Sequence, residues 1–169
     1  MSKAFTREDD APGPIIPRRF ADTLPPGARN YLTPDGAQRL REELNRSVQV
    51  ERPQILASPD QGVAREQLQN LDQRIQHLQQ SLQSAVVVET PAGEIDHVRF
   101  GATVSVRESS GEEARYRIVG IDEADIDRGW VSWLSPIARA LLNAGIGERV
   151  RVKLPSGDEE LEILSILYE

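Results

Sequence analysis

The sequence predicts an α+β protein: an N-terminal antiparallel coiled-coil helical hairpin followed by a β-rich unit that carries one short helix. Three observations predict it. Ala64, Leu68, Leu71, Ile75, Leu78, Leu82 and Ala85 recur at alternating steps of four and three, the a/d spacing of a helical seam, with glutamines and charged residues between them. Ahead of that seam, Ser58-Pro59-Asp60-Gln61-Gly62 gathers proline and glycine in a polar cluster, so the chain reverses there. From Val86 onward the apolar runs become short and are separated by glycines and acids, which is the pattern of strands.

Taken in order, residues 1–30 hold five of the eleven prolines, mixed charge and few large apolar groups. Such a stretch buries too little surface to offset the entropy of ordering, and a flexible tail is expected. The hairpin is expected over 31–88. Thr33 is a good N-cap, Pro34 suits the first helical position, and Asp35 in the first turn complements the helix dipole. Leu40, Leu44, Val48 and Ile55 give this first helix an imperfect apolar stripe, and Pro53, well inside it, removes a hydrogen bond and predicts a bend. Two helices of about 23 residues at 1.5 Å each make a hairpin roughly 35 Å long.

The β-rich unit is expected over 89–169, with strands at Val98 to Val106, Arg115 to Gly120, Trp130 to Trp133, Arg149 to Leu154 and Glu160 to Leu167. Ser109-Ser110-Gly111 and Ser156-Gly157-Asp158 are hairpin signals, so the sheet is mostly antiparallel. Ser135 followed by Pro136 repeats the cap-then-proline logic and starts a short helix. Its Ile137, Leu141 and Leu142 share an apolar face toward the sheet, Arg139 points away, and Asn143 to Gly145 stops it. Trp130 and Trp133 have opposite parity on one strand, so at most one faces the core and the other is a candidate interface ring.

Composition narrows the function. With 38% hydrophobic and 28% charged residues, no cysteine and no apolar run of membrane-spanning length, the chain reads as a cytoplasmic protein without disulfides or thiolate metal sites. The net charge of −7, concentrated in 89–169 with nine basic and sixteen acidic residues, argues against a broad nucleic-acid face, because such binding is dominated by Lys and Arg. A protein partner fits better. No nucleophile elbow, phosphate-cradling glycine loop or His-Glu-x-x-His pattern occurs, so neither an intrinsic active site nor a cofactor is expected. His77 lies between seam positions and reads as a solvated surface residue; His97 precedes a strand with no second ligand nearby.

The block Tyr116-Arg117-Ile118-Val119-Gly120-Ile121-Asp122-Glu123-Ala124-Asp125, with Ser135-Pro136-Ile137-Ala138-Arg139-Ala140-Leu141 and the closing Gly147-Glu148-Arg149-Val150 and Leu154-Pro155-Ser156-Gly157, resembles the C-terminal domain of the bacterial Gre transcript cleavage factors, GreA and GreB. Leu24 to Pro34 resembles the lead-in to the first helix in the GreB branch, and Arg52-Pro53 stands where the family carries a proline. The resemblance implies an FKBP-like C-terminal domain that binds RNA polymerase through Ser135, Pro136, Ile137, Ala138 and Arg139, and a coiled coil that enters the secondary channel. Leu134 stands where the family usually has Asn or Asp.

In the cleaving members two tip acids spaced three apart help hold a second Mg²⁺, a task that suits carboxylates because a hard cation prefers oxygen. Here the tip is Pro59, Asp60, Gln61 and Gly62, with Val63 where the second acid would stand, and the hairpin is about a dozen residues shorter than the family norm, roughly 10 Å of reach. The second helix keeps only Arg65 and Arg74 between positions 65 and 74, so its attraction for RNA phosphates is expected to be weak. The reading that follows is a non-enzymatic elongation factor that occupies the channel, regulates elongation and competes with other channel binders without stimulating cleavage. Alternatives are a cleavage-stimulating factor working through Asp60, an FKBP-like prolyl isomerase, for which an aromatic-lined pocket is required, and a DNA-binding module.

Overall fold

The computed structural model describes residues 24–93 and 95–168. The tail expected over 1–30 therefore lies outside the described residues up to residue 23. Asn30 already belongs to a strand, β1 (Asn30–Leu32), and its side-chain amide donates to the Ser81 carbonyl at 3.0 Å. Thr33 then caps α1 (Pro34–Arg46) as expected: its hydroxyl accepts the Gly36 N–H at 3.0 Å, with Pro34 opening the helix and Asp35 in the first turn.

The bend expected at Pro53 has a specific form. Between α1 and α2 (Arg52–Leu56) the chain makes a π-helical turn, Ser47–Glu51, in which the Arg52 N–H bonds the Ser47 carbonyl five residues back. This wider turn lies where the proline ring would otherwise crowd the preceding carbonyls. It also corrects the expected stripe. Val48 is exposed, while Ser47 is fully buried, because the inward positions follow Leu40, Leu44 and Ser47 at steps of four and three.

After the turn, α3 (Gln61–Ser84) returns alongside, and the chain leaves it through β2 (Ala85–Val87), which pairs in parallel with β1. This small two-stranded sheet was not expected, and it takes Ala85 out of the helical seam. Ala64, Leu71 and Leu78 are buried, whereas Leu68, Ile75 and Leu82 are only half-buried, since two helices cover one flank of the seam and leave the other open. Leu32, Ala37, Leu40 and Leu78 form the core at the root of the hairpin, with Leu44, Leu82 and Ala85 packed on it. Arg74 pairs with Glu43 and Arg52 with Asp72 across the arms, exposed contacts that set register more than stability.

The second unit is a five-stranded sheet in the order β5-β4-β3-β7-β6, formed by β3 (Ala102–Glu108), β4 (Glu113–Val119), β5 (Trp130–Ser132), β6 (Arg149–Leu154) and β7 (Gly157–Tyr168). All neighbours are antiparallel except β4 and β5. The first strand starts at Ala102 rather than Val98, because Gly101 turns the chain with φ +86° just before it. Helix α4 (Pro136–Leu141) lies on the sheet, burying Ile137, Ala138 and Leu141 against Val104, Val106, Ile118, Val131, Val152, Leu161 and Ile163. Ion pairs of Arg107 with Glu113 and of Arg149 with Glu160 join neighbouring strands at exposed positions.

Candidate functional site

At the start of α4, Ser135 accepts the Ala138 N–H at 3.2 Å and its own N–H bonds the Ser132 carbonyl at 2.9 Å. Pro136 occupies the first helical position and stays half-exposed, and Arg139 is exposed in the last turn. Ile137 and Ala138, which the family resemblance placed in the partner-binding patch, both point into the core, at 3% and 0% exposure; for Ile137 this is the apolar face that its spacing predicts. Of the five residues, Pro136 and Arg139 are the ones that offer surface, and Ser135 acts by holding the helix start. Beneath the helix, the space lined by Tyr116, Ile137, Val152, Leu154, Glu159 and Leu161 leaves no room for a water molecule. The Tyr116 hydroxyl there is pushed up to about 12, first by burial and then by the charge of Glu108 beside it.

At the far end of the hairpin, Asp60 is the N-cap of α3. Its Oδ1 accepts the N–H groups of both Gly62 and Val63, at 3.1 and 3.2 Å. Gln61 donates its side-chain amide to the Ser58 carbonyl at 3.1 Å, closing the turn on itself. Around this cap the surface is apolar: Leu56 and Val63 are about half exposed, at 54% and 51%. The next acid along α3 is Glu66, six residues on and on another face of the helix. Among the described residues no group of three or more His, Cys, Asp or Glu side chains could hold a metal ion.

The root of the hairpin meets the sheet at a 3-10 turn, Ile121–Glu123. The Glu123 side chain is 1% exposed and accepts from the Thr33 N–H at 2.9 Å, the Thr33 hydroxyl, the Gly120 N–H at 2.9 Å and Arg39 at 3.5 Å. Its neighbour Asp122 accepts from the Ser81 hydroxyl and stands 2.9 Å from His77 Nε2. Beside this polar seam, Tyr31 packs against Trp133 and Phe100 with ring centroids 5.1 and 5.8 Å apart. Neither tryptophan is the exposed interface ring that strand parity predicts for one of the two: Trp133 is half-buried, and Trp130 is not a free surface. It is half-buried, with Arg39, Arg117 and Arg128 guanidinium groups 4.6, 5.1 and 5.2 Å from its ring centroid.

The family profile described as "Transcription elongation factor, GreA/GreB, C-term" matches residues 92–168. A transcription elongation factor GreB from Neisseria meningitidis serogroup A is 39% identical over 154 residues, covering 83% of this chain and 94% of the relative. The chain belongs to the GreA/GreB family. A transcription elongation factor GreA from Alkalilimnicola ehrlichii is 43% identical over 152 residues, covering 81% of this chain and 96% of that one. Among solved structures, GreA factor homolog 1 (Gfh1) of Thermus thermophilus is 26% identical and aligns over 83% of this chain and 99% of its own, with a TM-score of 0.38.

Within this GreA/GreB-family chain, Ser135, Pro136 and Arg139 lie together on α4, over the sheet, and Pro59 to Gly62 lie at the turn between the hairpin arms. It also shows what sequence reasoning missed. Glu123 and Asp122 sit in the block that carries the family resemblance, yet nothing in their spacing showed that they face Thr33 and Ser81, residues 90 and 41 positions away. His77, read as a solvated residue, keeps an exposed ring but uses one nitrogen on Asp122. The available signal was two adjacent acids three and four residues after the end of β4, where solvent exposure is the commoner explanation.

Proposed function

We propose that this family member binds RNA polymerase at the secondary channel, docking its β unit through the Pro136 and Arg139 surface while the hairpin reaches inward as a coiled-coil arm. In this reading residues 31–88 are the arm, 89–169 the FKBP-like docking unit, and the effect on elongation comes from occupying the channel and excluding other factors that use it. Transcript cleavage is not stimulated. The observation that carries this last step is the tip, where Asp60 has no acidic partner and binds its own helix start through Oδ1. Two further features agree with it. The apolar flanks, Leu56 and Val63, are poor company for a cation, and of the two arginines on the second arm Arg74 already pairs with Glu43, with Nε 2.7 Å from Oε1. A prolyl isomerase is disfavoured because the space under α4 admits no substrate ring.

The test is a pull-down of purified core RNA polymerase with the wild-type chain and with Pro136→Asp, run beside a cleavage assay on backtracked complexes. Aspartate is well tolerated in the first turn of a helix, so the variant keeps its fold and changes the surface. Binding without cleavage, lost in the variant, is the expected result. Cleavage by the wild-type chain overturns the blunt-tip reading, and absence of binding overturns the docking itself.

A further inference from the structure

We infer that Asp122 and Glu123 are positioning residues that together clamp the helical arm at a fixed bearing on the β unit. They are consecutive residues of one 3-10 turn, and each holds a different arm of the hairpin. Glu123 holds α1, through the Thr33 N–H, the Thr33 hydroxyl and Arg39. Asp122 holds α3, through Ser81 and His77. A single contact would let the arm swivel; two contacts on separate helices remove that freedom.

The chemistry at the Glu123 end is matched on every side. All the groups that face it are donors, and a carboxylate is the side chain that presents acceptors alone. The Gly120 N–H is one of them, so the carboxylate is tied to its own loop as well as to the arm. The backbone leaves space for this and for nothing larger. A Cβ at Gly36 would lie 1.8 Å from Glu123 Oε1, and one at Gly120 would lie 2.1 Å from the Tyr31 carbonyl oxygen. Both glycines are thus required by close approach across the junction.

Bearing matters because the arm is a lever. For an arm of about 35 Å, a swivel of about 10° at the root displaces the tip by roughly 6 Å, more than one turn of helix. The clamp thereby decides where Pro59 to Gly62 stand once the β unit has docked. This functional role rests on the docking proposed above, whereas the clamp itself does not.

The chain has no cysteine, so Gln67→Cys on α3 and Lys153→Cys on β6, both exposed, can carry nitroxide labels in the full-length protein. Pulsed electron paramagnetic resonance is expected to give one narrow distance distribution, which broadens and shifts in Asp122→Ala, in Glu123→Ala and in Gly36→Ala. The glycine variant keeps both acids and favours helix, so it separates displacement of the carboxylate from loss of folding, and it decides the matter if an alanine variant fails to fold. Narrow distributions in the folded variants, Gly36→Ala included, would overturn the clamp. Polymerase binding is then measured on the same proteins, with a loss of about tenfold or more expected wherever the distribution broadens. Broadened variants that bind as tightly as wild type would overturn the positioning role. If the wild type does not bind, the docking has failed and the positioning role with it, while the distances still judge the clamp.

Discussion

Replacing Asp60 by alanine tests the reading of the tip at its most exposed point. In the structure one carboxylate oxygen takes two of the N–H groups that the first turn of α3 leaves without helical partners. Removing an N-cap of this kind costs about 1 kcal/mol, with the charge at the helix N-terminus contributing a few tenths of that order. The first deeply buried residue of α3 is Ala64, so residues 61–63 can open without unfolding the hairpin, and the loss is expected to be local. Amide hydrogen exchange at Gly62 and Val63 is therefore the assay, since about 1 kcal/mol corresponds to roughly fivefold faster exchange. Asp60→Asn should restore protection, because asparagine caps about as well as aspartate. Unchanged exchange in Asp60→Ala would mean that the carboxylate is not held by its own helix, and the argument that it is engaged locally would fall.

Two other expectations follow from the β unit. Arg139→Gln, at an exposed position of α4, should change stability by less than about 0.5 kcal/mol while weakening polymerase binding severalfold in a titration; unchanged binding would move the docking surface away from α4. Tyr116, raised to about 12 by burial and by Glu108, should ionise well above the usual tyrosine range in an absorbance titration. Because the folded state holds that proton more tightly than the unfolded state does, its contribution to stability is complete below pH 10 and is lost as pH rises toward 12, which denaturant midpoints across that range would show.

The parts of the fold that were legible in sequence are those fixed by local rules. Thr33 and Ser135 each cap the helix predicted for them, because a cap depends on residues two or three positions away. Strand β6 runs from Arg149 to Leu154 as its alternation requires, and the turn before Gln61 falls where proline and glycine place it. What was not legible depends on partners distant in the chain. Whether Ser47 or Val48 faces inward depends on α3, packed alongside, and the pairing of β1 with β2 joins residues 55 positions apart. The candidate site divides in the same way. The Ser135-Pro136 cap located α4 and the spacing put Ile137 on its inner face, but the burial of Ala138 was decided by the sheet beneath it.

The same distinction separates two explanations for the proposed absence of cleavage stimulation, a missing acid and a short arm, and Val63→Glu tests them against each other. Val63 is exposed and stands three residues after the cap, so glutamate there restores an Asp-x-x-Glu spacing without disturbing the core. It also completes a capping box, in which the new side chain reaches back to the Asp60 N–H, and it replaces a β-branched residue at the positive end of a helix. The variant should accordingly be more stable than wild type by about 0.5 kcal/mol, read from the denaturant midpoint. Cleavage is still not expected. Both acids would be drawn toward the helix start, and an arm shorter by roughly 10 Å, as the family resemblance implies, would carry them to a different depth in the proposed channel. Were Val63→Glu to stimulate cleavage, the length of the arm could not be the obstacle, and the loss of one carboxylate would be sufficient cause. A variant that is more stable and still inactive would show that a second acid at this spacing is not sufficient, because the helix start holds the acids or because the arm falls short.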